Sequence, residues 1–192
     1  MKVIYAFSVV GAFALMVSCR QQPTELTEEE KKQIVDSVTL IAGSLIKNGT
    51  EGIEQTVAAI KRTCSADPDA RHISSGLLFT SVDVLIDSVR SPGNATFKSM
   101  LEIFEETFDR VDAVVLSREA VSLTIPARYT MKLKNGPTYN GSEVMTFLFQ
   151  KRKGKWMIIQ SHISEYKQWE AFNTLMPEVF AAMIAPKNES KK

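Results

Sequence analysis

Histidine, cysteine and glycine are scarce in this chain, and each shortage removes a class of function. The two histidines, His72 and His162, stand alone, with no HxH or HxxxH spacing and no cysteine cluster beside them. Metal centres need several such donors converging on one point, so no metal site is expected. The nine glycines form neither a phosphate-cradling loop nor a dinucleotide fingerprint, and no nucleophile elbow occurs. No cofactor is expected either. Lys plus Arg (23) nearly balances Asp plus Glu (22), so no overall field draws the chain to nucleic acid. Internal repeats and low-complexity stretches are also missing. What remains is 192 residues, 44% hydrophobic and 23% charged, the profile of one ordinary domain able to bury a core without staples.

The chain opens on a targeting segment. Lys2 supplies a short positive region, and Val3 to Val17 is an apolar run shorter than the roughly 20 residues of a membrane span. The run ends in Met16-Val17-Ser18-Cys19. This resembles the bacterial lipobox, in which small or apolar residues precede a cysteine that is lipidated and becomes the new N-terminus; Met16 stands where leucine is usual. The alternative is a secretory signal with an incidental cysteine. On the lipobox reading residues 1–18 are a signal peptide and 19–26 a polar tether. Acyl chains on Cys19 then hold the protein at a membrane of the bacterial cell envelope (outer membrane or cell surface) without a spanning helix. Cys64 is left without a disulfide partner. In KRTCSADP it reads as a small half-buried hydrophobe rather than a nucleophile.

Beyond the tether, Thr27-Glu28-Glu29-Glu30 matches a capping box. A helix follows, with Ile34, Val38, Ile41, Leu45 and Ile46 at helical spacing, ended by Asn48-Gly49. A second helix, Gly52 to Arg62, buries Ile53, Val57 and Ile60. From Leu77 the pattern reads as extended, with Leu78, Val82, Val84 and Ile86 strand-like and Asp83 and Asp87 on the alternate parity. Arg90 to Asn94 is a turn, with Asn94 or Thr96 capping a helix over 97–111 whose stripe is Phe97, Met100, Leu101, Phe104 and Phe108. Strands are expected over 113–116 and 120–133, with Pro126 marking a bulge or an edge. Helices first and strands later argue an α+β domain, helices covering one face of a curved antiparallel sheet.

The strongest local signal is a hairpin, with strands over 144–150 and 156–164 and a basic turn over 151–155 containing Gly154. That turn reads as a solvated tip. Alternation along the second strand puts Trp156, Ile158, Gln160, His162 and Ser164 on one face. Met157, Ile159, Ser161 and Ile163 fall on the other, joined by Met145, Phe147 and Phe149 from the first strand. This second face is taken as the outer one, apolar enough to want cover. Past Glu165, Tyr166, Trp169, Phe172, Met176, Val179, Phe180 and Met183 follow helical spacing, giving a C-terminal helical extension over 166–186 and a polar tail over 187–192.

The order of elements, together with Lys132-Leu133-Lys134-Asn135-Gly136, Gly154-Lys155-Trp156-Met157-Ile158 and His162-Ile163-Ser164, resembles the nuclear transport factor 2-like superfamily, and within it the SnoaL-like group. The resemblance covers about residues 30–165, inside a domain placed at 27–165. It implies a cone of strands curled round a helix, a cavity between sheet and helices, and a homodimer through the outer sheet face. Relatives include isomerases, cyclases, dehydratases and non-catalytic association domains, so fold does not fix function. Candidates to line the cavity are His162, Ser164, Gln160, Trp156, Tyr129 and Asp83 or Asp87. His162 with a carboxylate suits a general base, and the Tyr129 hydroxyl suits carbonyl polarisation. Each also has a structural role on offer: His162 as a bonded rim residue, Ser164 as a helix cap, Tyr129 and Trp156 as core, the aspartates as solvated surface. The catalytic aspartate of the isomerase relatives matches no position here. Two functions stay open: binding of a small apolar or amphipathic ligand or a partner, and a cofactor-free isomerase or lyase.

Overall fold

The capping box forms as the sequence predicts. In the computed structural model, which describes residues 25–166 apart from 75, 109, 135 and 137, the Glu30 N–H donates to Thr27 Oγ1 at 3.1 Å and the Thr27 N–H donates to Glu30 Oε2 at 2.8 Å. The signal segment, Cys19, nearly all of the tether, and the chain from 167 onward lie outside the described residues.

Helix α1 (Glu28–Glu51) and helix α2 (Ile53–Thr63) are followed by β1 (Arg71–Ser74), β2 (Leu77–Phe79), α3 (Val82–Val89) and α4 (Pro92–Met100). Five more strands complete the domain: β3 (Leu101–Phe108), β4 (Asp112–Ser117), β5 (Ala120–Leu133), β6 (Thr138–Arg152) and β7 (Lys155–Tyr166). The seven strands form one sheet in the order β2-β1-β7-β6-β5-β3, with β4 also paired to β5. All pairs are antiparallel except β1 with β7. The sheet curls round α1 and α2. Val38, Ala42 and Ile46 from α1 and Val57 and Ile60 from α2 meet Val121, Leu123, Ile125, Met145, Phe147, Phe149 and Ile158 from the sheet. Each such large side chain contributes roughly 2–3 kcal/mol of burial.

Two segments differ from the sequence reading. Residues 82–89 are helical, not extended. Ser81 caps them by accepting from the Val84 N–H at 3.2 Å, and Asp83 suits the first turn. Val82 and Ile86, four apart, are the buried pair, and Asp83 and Asp87 are exposed. The expected helix over 97–111 is instead the end of α4 followed by β3. The cap is Ser91, with Pro92 at the first helical position, where its missing N–H costs nothing. Phe104 and Phe108 are four apart, a spacing that helix and strand both place on one face. Pairing of Phe104 with Met131 and of Phe108 with Ala127 decided for the strand.

Pro126 is not at a bulge but at a local edge within β5. Strand β5 pairs with β4 as far as Thr124 and with β3 from Ala127. Pro126 therefore sits in the gap between the two partners, where no ladder bond is asked of its nitrogen.

The hairpin carries the largest correction. Its turn is only two residues, Lys153 and Gly154, with φ of 51° and 80°. Positive φ at both positions is the twist-matched type I′ arrangement. Leu148 pairs with Gln160 but Phe149 with Ile158, so Ile159 is an extra residue on β7. A bulge of one residue sends every later side chain to the opposite face. Trp156 and Ile158 face the core as expected, but beyond the bulge Ser161 and Ile163 do so, and Gln160, His162 and Ser164 are exposed. On β6 the assignment of faces reverses completely. Met145, Phe147 and Phe149 are the inner face, fixed by their pairing with Ile125, Leu123 and Val121. The outer strip is Val144, Leu148 and Ile159, narrower and interrupted by polar groups.

Candidate functional site

The residues chosen from sequence do not come together. His162 and Ser164 bond to each other, Nε2 to Oγ at 3.0 Å, on the exposed side of β7. Gln160 lies exposed beside them. Asp83 stands on the solvent face of α3. Trp156 is half-buried at the far end of the sheet, with the Lys151 ammonium 5.8 Å from its ring centroid. Of that set only Tyr129 takes part in a polar cluster on the concave face.

That cluster is built by strand register. Glu106 on β3 lies opposite Tyr129 on β5, which lies opposite Gly141 on β6. In the next row Phe108, Ala127 and Glu143 stand side by side. The small Ala127 leaves room for the Glu106 and Glu143 carboxyls to reach each other diagonally across β5. They make a side-chain hydrogen bond. The Tyr129 ring lies flat over Gly141, so close that a Cβ there would come within 2.3 Å of its Cζ. Phe104 packs on the other side, its centroid 6.2 Å from that of Tyr129. Lys98 reaches in from α4. Its Nζ donates to the Gly49 carbonyl at 2.7 Å and sits 5.2 Å from the Phe104 centroid.

Electrostatics gives the two glutamates different roles. Burial, then the bond to Glu106, then the repulsion of its charge push Glu143 up to about 8. Glu106 is also raised by burial, but its bond to Glu143 and the Lys98 charge pull it back. Two carboxylates in contact cannot both ionise. One proton therefore stays on Glu143, and Glu106 carries the negative charge toward Lys98. Glu106 Oε1 is buried with no hydrogen-bond partner. Burial lowers Lys98, yet its neighbour Glu106 keeps a counter-charge within reach.

A second buried polar pair lies deeper. His72 is 1% exposed, and its Nδ1 is 2.8 Å from Ser161 Oγ. Its Nε2 is buried without a partner, and burial lowers its pKa, so the ring is neutral. It occupies the row of Phe79, Ser161, Phe147 and Leu123, closed over by core. The Met145 and Ile163 row separates it from the glutamates. Cys64 is 3% exposed, its thiol pushed up to about 11 by burial, which leaves it an inert hydrophobe. Among the described residues no three His, Cys, Asp or Glu side chains gather as a metal site would require.

Sequence reasoning missed Glu106, Glu143, Lys98 and the burial of His72. Glu106 lies midway between Phe104 and Phe108, and Glu143 two residues before Met145. A charged residue on the apolar parity of a strand was the available signal, hidden because the Glu106 segment was read as helix and the faces of β6 were exchanged.

No family model matches the chain, and no curated protein is similar enough to match. Solved structures do match. A nuclear transport factor 2-like superfamily protein from Salmonella enterica serovar Typhimurium aligns with a TM-score of 0.55 at 15% identity, over 73% of this chain and 93% of that one. A putative scytalone dehydratase from Novosphingobium aromaticivorans gives 0.56 at 10%, over 73% and 89%. A putative calcium/calmodulin-dependent protein kinase II association domain from Xanthomonas campestris gives 0.50 at 17%, over 76% and 92%. A helix-filled, curled, unclosed sheet and these alignments lead to one conclusion: the chain has the nuclear transport factor 2-like fold.

Proposed function

We propose that this domain binds a small, largely apolar molecule carrying an oxygen acceptor, held at the concave face by the Glu143 carboxylic acid. The observation that carries the reading is the carboxyl pair. A proton kept on Glu143 at neutral pH turns from Glu106 to the ligand oxygen as a strong donor, and Phe104, Phe108 and Tyr129 supply the apolar surround. The fold supports the reading by its similarity to a ligand-processing dehydratase. As a test, carbonyl-labelled ketones of graded size (acetophenone, 1-tetralone, a tricyclic ketone) are titrated against the protein and followed by carbon NMR. A saturable downfield shift of the carbonyl, lost in Glu143→Leu, is the expected result. No saturable shift with any of the three sinks the proposal.

The ionised Glu106 beside the proton-bearing Glu143 favours a second reading, proton transfer without a cofactor. Glu106 takes a proton from the carbon next to the carbonyl, the C–H electron pair forms the enol double bond, and Glu143 gives its proton to the oxygen. Return of a proton to another carbon isomerises the substrate. Loss of a leaving group instead makes the reaction a lyase step. In heavy water the protein then exchanges the methyl protons of acetophenone faster than Glu106→Gln does; equal rates remove this reading. This reading does not use His162, which is exposed and bonded to Ser164.

The reading places the domain on a bacterial lipoprotein, anchored in the cell envelope through Cys19, and as a homodimer across the outer sheet face. The lipobox match supports the first. Val144, Leu148 and Ile159 support the second. Metabolic labelling with an alkynyl fatty acid, lost in Cys19→Ala, checks the anchor. Light scattering on Val144→Asp checks the dimer.

A further inference from the structure

The basic hairpin tip has a neighbour that the glutamate site does not use. A groove of about 450 Å³ lies between α1, the end of α2 and the start of β7. Its apolar lining is Leu40, Ile41, Trp156 and Met157, and its charged residues are Arg62 and Lys155. No acidic side chain lines it. Arg62 Nη2 donates to Ser44 Oγ at 3.0 Å, a neutral partner. Among the described residues neither Arg62 nor Lys155 makes an ion pair. Lys151 adds a third cation beside the Trp156 ring. Arg152 is different, being held by Asp69 at 2.8 Å and Asp67 at 3.6 Å. Of the tip cations, Arg152 is thus neutralised while Lys155 joins Arg62 at an apolar groove. Leu40 is 76% exposed on the opposite wall. A neighbouring groove across Leu40 and Ser44 contains both Lys47 and Glu51, so it has no such bias.

We infer that this groove binds a single amphiphilic carboxylate, its hydrocarbon body on Leu40, Ile41, Trp156 and Met157 and its head on Arg62 and Lys155. The charge complementarity fixes the head group, because two cations without an ion-pair partner beside an apolar floor make charge-assisted bonds to an anionic head that a neutral head cannot match. The concave shape fixes the form as a monomer lying in a groove rather than a bilayer, which meets a convex surface. The site lies eight residues along β6 from Glu143, about 26 Å in an extended strand. It is a second site, and its failure leaves the first untouched.

Calorimetric titration of the purified protein with dodecanoate, below the concentration at which it forms micelles, tests this. Saturable binding is expected, weakened at least about tenfold by the double change Arg62→Glu and Lys155→Glu, by Leu40→Asp, and by replacing dodecanoate with dodecan-1-ol. All three residues are exposed, so far-UV circular dichroism should be unchanged. Absence of binding, equal binding of the alcohol, or unaltered affinity in either variant overturns the proposal. So does binding to phosphatidylglycerol vesicles without binding of the monomer.

Discussion

Replacing Glu143 by glutamine keeps the side chain's shape and a hydrogen-bond donor but removes its ability to ionise. In the folded protein burial and the Glu106 carboxyl raise Glu143 from 4.5 to about 8. Between those values the folded chain retains a proton that the unfolded chain has released. Where the native state binds more protons, stability falls as pH rises. The contribution is fully present below about 4.5 and is lost as pH climbs through about 8. A shift of that size sets a ceiling of about 5 kcal/mol, at roughly 1.4 kcal/mol per pKa unit. The pair is half-buried, and water at the rim screens it, so a loss on the order of 2 kcal/mol is expected. Urea unfolding at about pH 5 and about pH 9 reads it directly. The wild type should weaken between the two, and Glu143→Gln should weaken less and overtake it at the alkaline end. Carbon NMR of the Glu143 carboxyl should show its titration displaced far above that of an ordinary glutamate. Parallel stability profiles for the two proteins, or an ordinary titration, would show that no proton is shared.

Gly141→Ala forces the Tyr129 ring off its place over β6 and should cost about 1–3 kcal/mol by overpacking, measured by chemical denaturation. Lys153→Asn puts a residue tolerant of positive φ into the first turn position and should stabilise by about 0.5–1 kcal/mol, seen as a higher urea midpoint. His72 is lowered from 6.5 by burial, so the unfolded chain binds the extra proton and stability is lost as pH falls through about 6.5. His72→Gln should flatten that acidic limb in thermal melts. Ser91→Ala removes the α4 cap and should cost about 1 kcal/mol, again read by urea unfolding.

Much of the fold was legible because its signals are local. Thr27 and Glu30 are three residues apart, and a capping box needs nothing else. Gly154 and the β-branched and aromatic runs around it specify a hairpin by themselves. The α+β order and the resemblance to the nuclear transport factor 2-like superfamily followed from such pieces. Segments 82–89 and 101–108 were misread where two periods fit the same residues: Phe104 and Phe108 satisfy helix and strand alike, and only pairing with β5 separates them.

The site depended on facts that local sequence does not contain. Which face of β6 points inward is set by its register against β5, which buries Phe147 opposite Leu123. The bulge at Ile159 then reverses β7, taking His162 and Ser164 out of the interior and bringing Ser161 onto His72. Glu106 and Glu143 are 37 residues apart in the numbering and meet only because both strands flank Ala127. The sequence by itself determined the two N-terminal helices, the hairpin, the fold class and the apolar inventory. Tertiary structure decided the faces, because a strand's side chains alternate with a period of two and a single inserted residue exchanges inside for outside.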